Sequence, residues 1–65
     1  MKLQLNGAPV EMQGATLTDL LEAEGFGGAK VATAVNGMFV PAPLRAGHVL
    51  NDGDSIEVLA PMQGG

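Results

Sequence analysis

Thr16-Leu17-Thr18-Asp19-Leu20-Leu21-Glu22-Ala23-Glu24-Gly25 is the stretch that decides the fold. Thr16 is a good helix N-cap, and Asp19 sits three residues on, where a carboxylate can reach back to the cap. Leu17, Leu20 and Leu21 fall on one helical face, while Asp19 and Glu22 point away. Gly25 can turn left-handed without strain, so it suits the position just past the helix. The spacing predicts a helix of about two turns, Leu17 to Glu24. A helix that short does not persist alone in water, so its leucines need a sheet beneath them.

Strand signals lie on both sides of it. Upstream, Met1, Leu3 and Leu5 alternate with Lys2 and Gln4, Asn6-Gly7 marks a tight turn, and Ala8, Val10 and Met12 alternate with Pro9 and Glu11. Pro9 cannot donate to a ladder, which places this second strand at an edge. Downstream, Phe26-Gly27-Gly28-Ala29 reads as a loop, with Phe26 plugging the core. Lys30 to Val35 reads as a third strand, with Val31, Thr33 and Val35 on one side and Ala32 and Ala34 on the other. Asn36-Gly37 is a second hairpin turn, and Met38-Phe39-Val40 returns until Pro41 and Pro43 stop it. Leu44 to Leu50 is irregular, with a short turn of helix or strand. Asn51-Asp52-Gly53-Asp54 is a turn rather than a calcium loop, since it lacks flanking helices and a distal glutamate. Ser55 to Ala60 forms the last strand, with Ile56 and Val58 inward and Leu59 outward.

These elements predict an α+β layer: a mixed sheet of four to five strands with one main helix packed on one face. The economical arrangement sets the first and last strands side by side in the middle, which is the β-grasp, or ubiquitin-like, topology. The expected division is a domain over residues 1–61 and a flexible tail over 62–65.

Composition bounds the chemistry. The chain has 65 residues, and a domain of that size buries about 60% of its unfolded surface. Only Phe26 and Phe39 are aromatic, so the core must be aliphatic. With no cysteine there is no disulfide, zinc-thiolate site, iron-sulfur cluster or cysteine nucleophile. The net charge is −4, and Lys2, Lys30 and Arg45 are the only Lys or Arg. Three scattered cations argue against nucleic acid and leave a basic protein partner as the easier fit. No signal peptide or membrane span is evident, so the cytoplasm is the expected location. His48 reads as a solvated loop residue with no second metal ligand nearby, and Asp19, Glu22 and Glu24 as a solvated acidic face. No Gly-rich loop precedes a Lys-Ser or Lys-Thr pair, so the chain is expected to be a group-carrying co-substrate and not a catalyst.

The sequence closes on Gly64-Gly65. Glycines let another protein's backbone approach closely, and chain ends not tied into a sheet are usually mobile. Together they suggest a carboxylate that threads, with Met62, Gln63 and Gly64, into a narrow site elsewhere. Leu59, Pro61 and Met38 are candidates for the surface that docks the partner.

Leu3-Gln4-Leu5-Asn6-Gly7, Thr16 to Leu21, Val31 to Gly37, Val40-Pro41, Asp52-Gly53-Asp54 and Gly64-Gly65, in this order and spacing, resemble the ThiS family of sulfur carriers in bacterial thiamine biosynthesis. One departure is that many relatives carry a basic residue just after the Val-Pro pair. Here Pro41-Ala42-Pro43-Leu44 follows, and the nearest cation is Arg45. The resemblance implies that a ThiF-like adenylating enzyme uses ATP and Mg²⁺ to activate the Gly65 carboxylate. A cysteine desulfurase system then supplies sulfur to give a thiocarboxylate, and a ThiG-like thiazole synthase consumes it. The chain itself is expected to bind no cofactor and no metal. Alternatives sharing the fold and tail are the small subunit of molybdopterin synthase and a ubiquitin-like protein modifier. A purely structural β-grasp domain is a further one.

Overall fold

The computed structural model describes residues 1–60. Its elements are strands β1 (Lys2–Leu5) and β2 (Ala8–Glu11), helix α1 (Leu17–Ala23), strands β3 (Ala32–Val35) and β4 (Met38–Val40), a short 3-10 turn (Ala42–Leu44) and strand β5 (Ser55–Leu59). The five strands stand in the order β2-β1-β5-β3-β4. The central pair, β1 and β5, is parallel, and every other neighbour is antiparallel. With α1 connecting the two hairpins and its leucines buried in the core, this is the β-grasp fold.

Both hairpins turn at Asn-Gly, as their spacing demands. Asn6 and Asn36 each take φ of 51°, and Gly7 and Gly37 each take 83°. Two consecutive positive φ values are what a type I′ turn requires, and Asn followed by Gly meets them at least strain. β2 and β4 are the two edges, and Pro9 indeed lies on one of them.

The capping box of α1 forms in full. Thr16 Oγ1 accepts from the Asp19 N–H at 3.2 Å. The Asp19 carboxylate accepts from the N–H groups of Thr16 at 3.1 Å and Ala15 at 2.9 Å. Gly14 makes room for this, because a Cβ there would lie 2.5 Å from the Cβ of Asp19. The two backbone donors hold the Asp19 carboxyl below the usual carboxylate range. A depressed folded pKa contributes stability that is present above the unfolded value of about 3.9 and is lost as pH falls through the folded value. Asp19→Asn is therefore expected to lower the melting temperature at neutral pH. It should also flatten the fall in stability below about pH 4, read by thermal melts across the acid range. Thr16→Ala should cost about 1 kcal/mol at neutral pH.

The core is aliphatic. Leu17, Leu20 and Ile56 are fully buried, and Leu3, Met12, Leu21, Val35, Val40, Leu50 and Val58 are nearly so. Phe26 packs against this core but stays half-buried, so it borders the interior and does not plug it. Thr33 is the single buried polar residue among those described. Its Oγ1 donates to the Val40 carbonyl at 2.7 Å and accepts from Arg45 Nε at 2.9 Å, while Arg45 Nη2 donates to the Val31 carbonyl. Arg45 thus ties the loop after β4 to the start of β3. β3 begins at Ala32, the partner of Leu59 at the end of β5, and not at Lys30, whose place in the same register falls opposite Pro61, outside the described residues.

Candidate functional site

The sheet has one face under α1 and one face open. Strand alternation and the register sort the residues between them. Val35, Ile56, Val58 and Val40 point to the helix side and are buried. Ala32 pairs with Leu59, and Ala34 pairs with both Phe39 and Glu57, so these five share the open face. There Leu59 is 65% exposed and Phe39 is 69% exposed. They border a shallow depression floored by Ala32 and Ala34, with Glu57 as its charged residue. The small alanine side chains leave the two large ones standing above the sheet. This apolar patch lies at the end of β5, where the chain runs on through Ala60 towards Gly65.

Leu59 therefore sits on the exposed face expected of it. Met38 does not join it. It pairs with Val35, whose β5 partner is Ile56, three residues before Leu59. By alternation it shares the face of Val40, and it borders a groove with Leu44, Val49 and the half-buried His48. His48 is thus less solvated than its loop position suggests. Its backbone carbonyl accepts from the Leu17 N–H at 2.9 Å, which seats the loop against the start of the helix. Pro61, Met62, Gln63, Gly64 and Gly65 lie outside the described residues.

Phe39 is the patch residue that sequence reasoning passed over. The signal was present, because a two-residue turn at Asn36-Gly37 forces 35 to pair with 38 and 34 with 39. With Val35 inward, Phe39 must lie outward beside Ala34.

The root of the tail is held from both sides. On one side β5 pairs with β3 as far as Leu59. On the other, backbone pairing with β1 stops at Leu5 and Ile56, followed by the Asn6 N–H donating to the Ile56 carbonyl at 2.8 Å. Beyond it, Asn6 Oδ1 accepts from the Val58 N–H at 2.9 Å and Nδ2 donates to the Val58 carbonyl at 3.2 Å.

Among the described residues no group of three or more His, Cys, Asp or Glu side chains could hold a metal ion. None of their helices is long and apolar enough to cross a membrane. Asp54 is engaged locally. Its carboxylate accepts from the Asn51 N–H at 2.8 Å and from Asn36 Nδ2 at 2.9 Å, and these bonds hold its pKa below the usual range. The Asn51–Asp54 segment is accordingly a turn.

The ThiS family matches residues 3–65 of the chain. The chain is 43% identical over 67 residues to the sulfur carrier protein ThiS of Thermus thermophilus, an alignment spanning 94% of this chain and 95% of that protein. Two solved structures of the Geobacter metallireducens thiamine biosynthesis protein share the fold. Its crystal structure, of ThiS, superposes with a TM-score of 0.83 at 33% identity and full coverage of both chains. The solution structure gives 0.77 at 32% identity, covering all of this chain and 88% of the other. The fold, the order of the turns and a match that extends to the final Gly-Gly place this chain in the ThiS family.

Proposed function

We propose that this protein is a sulfur carrier of thiamine biosynthesis whose reactive group is the carboxylate of Gly65. The observation that carries the reading is the family match, which runs through the β-grasp body and on to Gly64-Gly65.

The chemistry follows from the state of a terminal carboxylate. With a pKa of about 3.5 it is ionised at neutral pH, able to attack phosphorus but a poor electrophile towards sulfur. An adenylating enzyme with ATP and Mg²⁺ joins a Gly65 oxygen to the α-phosphorus and releases pyrophosphate. The acyl-adenylate is an electrophile. A persulfide supplied by a cysteine desulfurase system displaces AMP to give an acyl disulfide. A thiol reduces its S–S bond and leaves a thiocarboxylate at Gly65, and a thiazole synthase consumes it. ATP and Mg²⁺ belong to the partner, and the chain acts as co-substrate. Met62, Gln63 and Gly64 thread into the partner's site.

Leu59 and Phe39 form the docking surface. Exposed apolar side chains clustered beside the reactive segment suit a partner that must both grip the body and receive the terminus. The charge of −4 favours a basic rim on that partner and an association that weakens with salt. Phe39→Asp and Leu59→Asp should each raise the KM for the carrier about tenfold or more in adenylation assays, with unchanged melting curves.

The direct test is an intact-mass measurement after incubation with ATP, adenylating enzyme, desulfurase and cysteine. Replacement of one oxygen by sulfur at the terminus supports the carrier. Isopeptide conjugates to other proteins would instead identify a modifier, and an unaltered mass under conditions that label a known ThiS would overturn the proposal.

A further inference from the structure

The two Asn-Gly turns do more than reverse the chain. Each asparagine side chain turns onto β5, the strand that leads to the tail. Asn36 grips its start: Oδ1 accepts from the Ser55 N–H at 2.9 Å and Nδ2 donates to Asp54 Oδ1 at 2.9 Å. Asn6 grips its far end through both backbone polar groups of Val58. There the carboxamide takes the place of a peptide group. It offers one acceptor and one donor where β1 has run out of backbone, and so lengthens the β1–β5 ladder by one step. Leu59, the docking residue, comes next, and the tail follows.

We propose that Asn6 is a positioning residue for the carrier reaction, fixing the direction in which β5 delivers Leu59 and the terminal carboxylate to the partner enzyme. The inference rests on the carrier reading above. Without the Asn6 clamp, the end of β5 is held along one edge only, by β3. The carboxylate then searches a larger volume around the same docked body, and fewer encounters place it in line with the α-phosphorus. The docking patch itself stays on β3, β4 and β5, so binding changes less than turnover.

Asn6→Gly and Asn36→Gly make a matched pair. Both keep a turn that accepts positive φ, and both delete two side-chain hydrogen bonds to the last strand or the turn before it. Only the first loosens the end near the tail. In Asn6→Gly, amide hydrogen exchange at Val58 should accelerate about tenfold. In adenylation assays its kcat should fall about three- to tenfold, with KM within about twofold of the unmodified chain. Asn36→Gly should leave Val58 exchange and kcat near their starting values. Equal falls in kcat for the two variants, or a loosened Val58 with unchanged kcat, would reduce Asn6 to a structural turn residue and overturn the proposal. Failure of the carrier reading looks different. The unmodified chain would then form no acyl-adenylate, and Asn6 would have no tail chemistry to position.

Discussion

Removal of Gly65 is expected to abolish sulfur loading while leaving the melting temperature unchanged. The shortened chain still ends in a glycine carboxylate, so the reacting group is chemically the same. It is drawn back by one residue, about 3.5 Å. Displacement of only about 1 Å can cost about 100-fold when a reaction depends on near-attack geometry. If a partner holds the body at the Phe39–Leu59 patch, as proposed, the carboxylate falls short of the α-phosphorus, and labelling should drop by at least that factor. Stability should not follow, because the core described runs from Leu3 to Val58. The checks are an intact-mass assay for oxygen-to-sulfur exchange and a thermal melt on the same preparation. Labelling at the original rate would remove Gly65 from the mechanism. A molten shortened chain would refute the separation of fold from chemistry.

That separation explains what was legible in the sequence. Local physics fixes the turns and the cap: Asn-Gly pairs need positive φ, and Thr16 and Asp19 satisfy each other across three residues. The inward sets Leu17, Leu20, Leu21 and Ile56, Val58 follow from periods of 3.6 and 2, and their burial agrees. Strand ends were less legible, because they are set by partners far along the chain. β3 starts at Ala32, opposite Leu59 at the end of β5, and that pairing is not written near residue 30. The exposed apolar patch was half legible. Leu59 follows from alternation, whereas grouping it with Met38 ignored the hairpin register, which puts Phe39 beside it. The Asn6 grip on Val58 spans 52 positions and has no local signal at all. Arg45 is similar: its bonds to Thr33 and Val31 depend on how the loop after β4 folds back.

Leu20→Ala is expected to remove a large share of the chain's stability. Leu20 is fully buried on the helix face that meets the sheet, and truncating such a leucine costs about 2–5 kcal/mol. A chain of 65 residues has about 3–10 kcal/mol of stability in total, with no disulfide here to supplement it. For a domain of this size each kcal/mol lowers the melting temperature by about 4–8 °C, so a fall of more than about 10 °C should appear in calorimetry or circular dichroism. Leu59→Ala removes the same side chain from the surface and should stay within about 0.5 kcal/mol of the original. The pair also tests why a carrier has a body. Above its lowered transition Leu20→Ala leaves Gly64-Gly65 chemically untouched but dissolves the face that carries Phe39 and Leu59. If the partner reads the tail alone, the unfolded variant loads sulfur as well as the folded one. If the sheet face delivers the tail, loading falls with the folded fraction, and measuring both across a temperature ramp through the transition shows whether the two curves coincide.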